Sequence, residues 1–200
     1  MFTGLVSFIG TLVERDGARF SIASPFKRKS LEEGASLACD GCCLTLVDVG
    51  KAKQGAMFTV EASNETLART TLGDWQEGRR INLERALTLG DALGGHLVTG
   101  HIDGRARIFA AAVDGDSVRF VLEAPADLAR FIAPKGAVAL NGVSLTVNDV
   151  EGLRFGVNII PYTLSHTTWG DLGPGDLVNL EVDILARYVA RLAQHEGRLP

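Results

Sequence analysis

The chain carries two copies of one sequence unit, and this duplication limits its fold more than any other feature. Three blocks recur in the same order: TGLV (3–6) as TGHI (99–102), CDGCCLTLVDV (39–49) as LNGVSLTVNDV (140–150), and ETLARTTLGDWQEGRRINLE (65–84) as YTLSHTTWGDLGPGDLVNLE (162–181). Three collinear matches indicate a duplicated domain of about 97 residues, and the small differences in offset indicate loop insertions.

Each unit has the pattern of a small β-structure. The segments MFTVEA (57–62), SVRFVLEA (117–124) and LRFGVNII (153–160) are short, and several alternate apolar with polar side chains. This alternation is typical of strands that bury one face.

Two dipeptides predict tight hairpins within these units. Asp40-Gly41 and Asn141-Gly142 stand between apolar segments, and both positions of such a turn favour positive φ. With 23 glycines in 200 residues, the chain suits an architecture with many turns. We therefore expect two small antiparallel barrels in tandem.

The C-terminal segment differs from the rest. In DILARYVARLAQ (183–194), five apolar side chains fall along one stripe at helical spacing: Ile184, Leu185, Tyr188, Val189 and Leu192. Two interpretations are open: the helix covers its own second barrel, or copies from several subunits pack together.

Composition and charge exclude several classes of protein. The net charge is −4, and the one basic run, KRKS (27–30), is too short to form a nucleic-acid surface. No apolar segment approaches the ~20 residues of a membrane helix, and the apolar start has neither the charged region nor the cleavage site of a signal peptide. Three cysteines within residues 39–43 do not suit a disulfide framework, which predicts a reduced, cytoplasmic protein.

Metal and nucleotide motifs are also missing from the sequence. The cysteine cluster has no second ligand pair as zinc sites require, and the histidines of HLVTGH (96–101) would face opposite sides of a strand. No P-loop or GxGxxG motif occurs. We expect no metal and no cofactor.

The matched blocks place hydrogen-bonding side chains at equivalent positions. Cys43 and Thr45 would share one face of a strand, as would Ser144 and Thr146 in the second copy. Small residues of this kind can simply fill a barrel interior, but the same pair in both copies favours a ligand-facing role. His101 stands where the first copy has Leu5, and histidine is the residue type whose ordinary pKa lies nearest neutrality.

These blocks together resemble the riboflavin synthase family of the α-chain type. The resemblance lies in MFTG, CDGCCLT, GGHLVTGHIDG, NGVSLTV and TLSHTTWGDLGPGDLVNLEVD, and it extends over residues 1 to about 188. It implies an all-β fold of two tandem, duplicated six-stranded antiparallel Greek-key-like barrels with a C-terminal α-helix. The implied domains are residues 1–96, 97–184 and 185–200, the last serving oligomerisation into a homotrimer.

The resemblance also implies an activity. Two molecules of 6,7-dimethyl-8-ribityllumazine dismutate by transfer of a four-carbon unit, giving riboflavin and 5-amino-6-ribitylamino-pyrimidinedione without a cofactor, as the last step of riboflavin biosynthesis. The active site would lie between the first barrel of one subunit and the second barrel of a neighbour. Association with lumazine synthase is a further candidate interaction, and no nucleic acid or membrane is expected.

Site residues follow from the matching positions. The first pocket would comprise Cys43, Leu44, Thr45, a strand from Glu61 through Ala62, Ser63, Asn64 and Glu65 to Thr66, then Gly100, His101 and Ile102, with Lys135 reaching across the subunit contact. The second would comprise Gly4, Leu5, Val6, Ser144, Leu145, Thr146, Ile160, Pro161, Tyr162, Thr163, Leu164 and Ser165, again on strands.

Catalytic roles are assigned to three of these side chains. Cys43, His101 and Ser144, or a water that they orient, would assist as base or nucleophile when a ring methyl group loses a proton. Two copies of one substrate must play opposite roles, so differences between the two pockets at these positions would separate donor from acceptor. Asp183 is a further candidate, although it can equally cap the terminal helix.

Two alternative functions fit the sequence less well. A lumazine- or flavin-carrying protein of the same fold needs only one working pocket, whereas both blocks are intact here. A flavin reductase would need a nicotinamide-binding domain for which the chain has no room. Asp40 stands where its repeat mate is Asn141, and both residues suit the turn.

Overall fold

The computed structural model describes residues 1–195, in which two closed β-barrels follow one another along the chain. The first barrel contains β1 (Phe8–Asp16), β2 (Arg19–Ser24), β3 (Ser36–Cys39), β4 (Cys42–Lys51), β5 (Ala56–Glu61) and β6 (Arg80–Arg85). The second contains β7 (Gly104–Asp114), β8 (Ser117–Glu123), β9 (Ala137–Leu140), β10 (Val143–Glu151), β11 (Arg154–Ile159) and β12 (Leu177–Val182).

Both barrels have the same topology. The first closes in the order β1-β2-β5-β4-β3-β6, and the second in the equivalent order β7-β8-β11-β10-β9-β12, with every pair antiparallel. Closure leaves no unpaired edge strand. The prediction of two duplicated six-stranded antiparallel barrels is confirmed.

The two predicted hairpins are confirmed as two-residue turns. Asp40 and Gly41 join β3 to β4 with φ of 43° and 80°, and Asn141 and Gly142 join β9 to β10 with φ of 46° and 76°. Consecutive positive φ values are the geometry that Asp-Gly and Asn-Gly favour, because the twist of such a turn matches that of its strands.

Equivalent aromatic pairs fill the two interiors. The Trp75 ring meets Phe20 edge to face at 5.7 Å, and the Trp169 ring meets Phe120 at 4.9 Å. All four side chains are almost completely buried, and each pair anchors a separate apolar core. Each barrel therefore has its own interior.

Among residues 1–195, three α-helices lie outside the barrels: α1 (Asn64–Arg69), α2 (Pro161–His166) and α3 (Ile184–His195). The prediction of strands over 61–66 and 160–165 was wrong, because β5 ends at Glu61 and β11 at Ile159. Ser63 accepts a hydrogen bond from the Thr66 N–H at 3.1 Å as the N-cap of α1, and Pro161 occupies the first turn of α2. At both places, residues that favour the start of a helix therefore determine the local structure, and the short apolar pattern does not.

Helix α3 presents its apolar stripe to solvent. Four side chains are each between 62% and 66% exposed: Leu185, Tyr188, Val189 and Leu192. The opposite side contacts the short helical turn Ala129–Phe131 of the second barrel. The interpretation that the stripe covers its own barrel is therefore wrong, and residues 196–200 of the predicted C-terminal segment lie outside the described residues.

A reciprocal set of buried contacts joins the barrels. The Asn82 side-chain amide donates to the Asn141 carbonyl oxygen, and the Asn179 amide donates to that of Asp40, both at 2.9 Å. Their Oδ1 atoms accept from the backbone N–H groups of the opposite unit, at Thr168 (2.8 Å) and Thr71 (2.7 Å) respectively. Each of the two amides thereby donates one hydrogen bond and accepts one across the junction.

The two hairpin glycines touch at the centre of this junction. A Cβ added to Gly41 would lie 2.6 Å from the Gly142 nitrogen, and one added to Gly142 would lie 2.7 Å from the Gly41 nitrogen. Only glycine permits this approach of two backbones at positive φ. The junction is thus approximately two-fold symmetric.

Asp40 breaks this symmetry electrically. Its buried carboxylate accepts from the Asn82 N–H at 2.8 Å and from Arg79 at 3.2 Å, and Asn141 takes the first of these roles in the second unit by accepting from the Asn179 N–H. Burial raises the pKa of Asp40 to about 6, although the Arg79 charge opposes the shift.

Among the described residues, no helix combines the length and the hydrophobicity needed to cross a membrane.

The raised pKa of Asp40 predicts a pH dependence of stability. An acid that holds its proton more tightly in the folded state favours folding below pH ~4, and this contribution is lost as the pH rises through about 6. Asp40→Asn removes the buried charge and keeps the acceptor for Asn82. We expect its Tm to exceed that of the wild type at pH 7–8 by a few degrees, which corresponds to a gain on the order of 1–3 kcal/mol in the free energy of unfolding. The difference in Tm should shrink towards pH 4.

Asp171→Asn is the matched control, because Asp171 also pairs with an arginine, Arg80, but on the exposed surface where such pairs add little. Thermal unfolding followed by circular dichroism across pH 4–8 measures both variants. A constant difference between Asp40→Asn and the wild type at all pH values would contradict the assignment.

Candidate active site

The two units exchange the segments that precede their barrels. The backbones of Phe2 and Val98 exchange hydrogen bonds of 2.7 and 3.1 Å, and from this bridge each segment continues onto the opposite barrel. Val6 packs against the core of the second barrel, and Ile102 packs against the core of the first. Each site is therefore built from both repeats.

A glycine in each exchanged segment lies directly on the strand that carries the candidate nucleophile. The Ser144 N–H donates to the Gly4 carbonyl oxygen, and the Cys43 N–H donates to that of Gly100, both at 2.8 Å. The glycines have φ of 75° and 79°, and an added Cβ would lie 2.6 Å from Ser144 Cβ or 2.5 Å from Cys43 Cβ. No other residue type fits at either position.

Two buried carboxylates hold these segments in place. Glu84 accepts from the Thr3 N–H and hydroxyl, both at 2.7 Å, and from the Gly4 N–H at 3.0 Å. Glu181 makes the same three contacts with Thr99 and the glycine after it, at 2.7, 2.7 and 2.9 Å. Burial raises the pKa of both carboxyls, while these N–H donors favour the ionised form.

Strands β4 and β10 direct the candidate side chains outward. Leu44 and Leu46 are buried in the first barrel, whereas Cys43 is half-buried and Thr45 is exposed on the opposite face. On β10, Ser144 and Thr146 take the same orientation. The interpretation that these small residues fill a barrel interior is wrong.

The three cysteines have two different environments. Cys39 and Cys42 lie inside the first barrel, where burial raises the pKa of Cys42 to about 12 and that of Cys39 well above its ordinary value. Cys43 alone faces outward. Within residues 1–195, no group of three or more histidine, cysteine or acidic side chains has a geometry suited to a metal.

A cavity of about 350 Å³ lies against Cys43. Its walls come from β4, from α1 and from the exchanged segment, and they include Cys43, Glu65, Thr66, Gly100, His101 and Ile102. The structure thus brings six of the predicted first-pocket residues together around one space.

Other predicted first-pocket residues lie away from this cavity. Leu44 is inside the barrel, and Thr45 lies further along the exposed face of β4. Glu61 forms an exposed ion pair with Arg19 at 2.9 Å, and the following residues Ala62, Ser63 and Asn64 lead into α1 rather than continuing the strand.

Lys135 lies on the second barrel, outside the first cavity of its own chain. Its N–H donates to the Val147 carbonyl oxygen at 2.8 Å, just as the Gly34 N–H donates to that of Leu46 in the first barrel. Both residues have positive φ, 66° for Lys135 and 83° for Gly34. A lysine held where its repeat mate is glycine is strained, and such strain is concentrated at functional positions.

The second site has a different character around Ser144. Where α1 carries the ion pair of Glu65 and Arg69 at 2.8 Å, α2 carries a stack of the Tyr162 and His166 rings with centroids 4.0 Å apart. Three predicted residues are exposed apolar side chains on this surface: Leu5, Ile160 and Tyr162. Three others support α2: Thr163 accepts from the Thr167 N–H at 3.1 Å, Leu164 packs on the second core, and the Ser165 hydroxyl donates to the Pro161 carbonyl oxygen at 3.0 Å. The second site therefore offers apolar surface where the first offers charge.

Asp183 caps α3, as the alternative interpretation held. Its Oδ1 atom accepts from the Leu185 N–H at 2.9 Å. Its charge also acts on His96, where it raises the imidazole pKa against the larger effect of burial.

His96 is the residue that sequence analysis missed. Its Nδ1 atom lies 2.7 Å from the Ser144 hydroxyl oxygen. His96 belongs to none of the three repeated blocks, so the duplication gave no signal for it.

The sequence of this chain is similar to those of one family of proteins. The model of the lumazine binding domain matches the chain twice, over residues 3–86 and 99–183. Riboflavin synthase from Brucella abortus is 50% identical over 202 residues, which cover 98% of this chain and 100% of the relative. Riboflavin synthases from Mycobacterium tuberculosis (41% identical, covering 98% and 100%) and Bacillus subtilis (34%, covering 96% and 89%) are also similar.

Solved structures agree in fold. LumP complexed with riboflavin superposes with a TM-score of 0.79 at 26% identity, covering 91% of this chain and 99% of LumP. LumP complexed with 6,7-dimethyl-8-(1'-D-ribityl) lumazine superposes with a TM-score of 0.77 at 24% identity over the same shares.

The cysteine environments predict selective alkylation. In the native protein, iodoacetamide should modify Cys43 alone, because Cys39 and Cys42 are buried as thiols. After unfolding, all three cysteines should react. Peptide mass spectrometry locates the label, and Cys43→Ser is the control that should leave the native protein unlabelled. Comparable labelling of Cys42 in the native protein would contradict the inward orientation of Cys42.

Proposed function

The chain belongs to the riboflavin synthase family, and we propose that it catalyses the dismutation of 6,7-dimethyl-8-ribityllumazine. One molecule gives a four-carbon unit to a second, which yields riboflavin and 5-amino-6-ribitylamino-pyrimidinedione. The carrying observation is the full-length similarity to riboflavin synthases combined with two equivalent, outward-facing sites of unlike chemistry.

The need for two sites follows from the reaction. Two copies of one heterocycle must be held in opposite roles, so a duplicated scaffold supplies two similar sites and local substitutions make them differ. The first copy has Cys43 where the second has Ser144, and it has Leu5 where the second has His101. Holding both rings together removes much of the entropic barrier of a two-molecule step, worth up to ~7–11 kcal/mol in ideal cases.

The two sites are completed by neighbouring subunits in this proposal. The apolar surface around Ser144, with Leu5 and Tyr162 exposed, suits contact with a bound ring and with the first barrel of another copy. Lys135 would then reach the first cavity of that copy, which accounts for a strained lysine on an exposed turn. The exposed stripe of α3 supports assembly of three copies into a homotrimer.

The chemistry rests on side chains that line the two sites. The reaction needs a base for a methyl proton of one ring and a nucleophile or hydrogen-bond donor at the other. Cys43, His101 and Ser144 are the candidates for these roles, since each projects from the segments that meet at the two glycine contacts. The free thiols support a reducing, cytoplasmic location.

A protein that binds lumazine or riboflavin without turnover is the second candidate. The similarity to LumP in complex with riboflavin favours it. The identity to that structure is 26%, however, against 50% to riboflavin synthase of Brucella abortus. Turnover separates the two candidates.

The first functional prediction concerns turnover. The purified wild type should convert the lumazine to riboflavin, followed by riboflavin absorbance. Ser144→Ala and His101→Ala should each lower kcat about 10²- to 10⁴-fold while changing the lumazine Kd less than ~3-fold, because the proposed roles lie mainly in the transition state. Asp116→Ala, on the exposed turn between β7 and β8 and outside both sites, is the control and should retain activity.

Tight binding without product by the wild type would favour the second candidate. Wild-type turnover in both variants would leave the activity standing and remove the assigned roles.

The second functional prediction concerns assembly. Leu192→Glu places a charge in the exposed stripe of α3 and should dissociate the trimer and lower turnover, because each site needs a second copy. Val113→Glu makes the same change at an exposed apolar residue of β7 and should keep the trimer. Sedimentation velocity measures both, and a monomeric wild type with full activity would contradict the shared site.

A further inference from the structure

His96 is held over Ser144 by close backbone packing. Its N–H donates to the Thr3 carbonyl oxygen at 3.2 Å, and Gly95 lies so near that an added Cβ would approach this oxygen to 2.1 Å and Ser144 Cβ to 2.9 Å. An added Cβ at Gly94 would lie 2.6 Å from Leu5 Cδ1. Because Gly94 and Gly95 have no side chain, they lie against the exchanged segment that carries Thr3 and Leu5, and this brings the His96 imidazole to Ser144.

The surroundings of His96 favour a neutral ring. Burial lowers the pKa of His96, and the carboxylate of Asp183, at the end of β12, raises it by a smaller effect. Glu84, on β6, binds the same exchanged segment as His96, and its oxygens are taken by Thr3 and Gly4. A neutral imidazole has one ring nitrogen free to accept a proton.

The charge of Asp183 favours one of the two tautomers of this ring. The Nε2 atom of His96 is shielded from solvent and has no hydrogen-bond partner in the described part of the chain. A proton on Nε2 lies in the negative field of Asp183, and Nδ1 then accepts from the Ser144 hydroxyl at 2.7 Å. A hydroxyl that donates to an imidazole presents its lone pairs outward, which is the arrangement of an activated serine.

The first site has no matching hydrogen bond. Among residues 1–195, the Cys43 thiol makes no hydrogen bond, although His101 lines the same cavity. The two sites therefore differ in two ways. Ser144 is hydrogen-bonded to a histidine whereas Cys43 is not, and the outward-facing atom is oxygen in Ser144 and sulfur in Cys43.

We propose that His96 is a positioning residue that acts through Ser144 to remove a methyl proton from the lumazine bound at the second barrel. This inference rests on the proposed function. The methyl C–H bond breaks, its electron pair stays on the carbon and is delocalised into the ring, and the proton moves to the Ser144 oxygen. The original hydroxyl proton moves to Nδ1 of His96, and Asp183 stabilises the imidazolium. The proton returns by the reverse path when a later step needs an acid.

His96→Gln tests this step because glutamine can hydrogen-bond but cannot accept a proton. We expect kcat to fall about 10²- to 10⁴-fold with the lumazine Kd changed less than ~3-fold. In the wild type, kcat should decline at acid pH as His96 protonates, and this decline should be absent from the variant. His96→Gln combined with Ser144→Ala should be no slower than Ser144→Ala alone, because the two residues act as a unit.

Two further variants separate proton transfer from structure. His96→Asn places an amide near the position of Nδ1 and can restore the hydrogen bond to Ser144. If the role of His96 were purely structural, this variant would therefore have the kcat of the wild type. Asp116→Asn, on the exposed turn between β7 and β8, is the control and should keep both kcat and its pH profile. Circular dichroism and sedimentation confirm that each variant is folded and assembled.

The outcomes are distinguishable. An active wild type with kcat and its acid decline unchanged in His96→Gln overturns the role of His96 alone, as do additive effects of the two substitutions or full rescue by His96→Asn. A wild type that binds lumazine and forms no riboflavin overturns the proposed function and this step with it.

Discussion

The buried asparagine contacts between the barrels are the interaction on which both sites depend. Asn82 and Asn179 each use an amide N–H and a carbonyl oxygen to bind backbone groups of the opposite unit, at distances of 2.7–2.9 Å. An unpaired amide in this position would leave polar groups buried without partners, at about 1–3 kcal/mol each. The junction therefore admits one arrangement of the two barrels, and the contact of Gly41 with Gly142 confirms how closely they meet.

This arrangement explains how similar repeats came to hold different chemistry. The junction and the two cores are equivalent in the units, as the pairs of Trp75 with Phe20 and Trp169 with Phe120 illustrate. The differences lie on the outward faces of β4 and β10 and on the exchanged segments, where side chains do not contribute to the cores. Substitutions there change the chemistry at small expense in stability.

Sequence alone predicted the parts of the fold that local chemistry determines. The paired turns at 40–41 and 141–142 followed from Asp-Gly and Asn-Gly, and the barrel strands followed from short alternating segments such as 57–62, 117–124 and 153–160. The helices α1 and α2 were missed because six residues are too few for a periodic signal, although the Ser63 cap and Pro161 marked their starts. Nothing local announced the exchange of segments, since the bridge between Phe2 and Val98 joins residues far apart in sequence.

The exchange changes what the unit of function is. A barrel by itself contains the strand with Cys43 or Ser144 but lacks the glycine that covers it, because that glycine comes from the other repeat. Each covering segment is in turn fixed by a carboxylate of its own repeat, with Glu84 binding Thr3 and Glu181 binding Thr99. Loss of either carboxylate would release a segment that carries site residues of the opposite barrel. The two sites therefore form together or not at all, and the repeats can diverge in chemistry only while the junction that builds both of them stays symmetric.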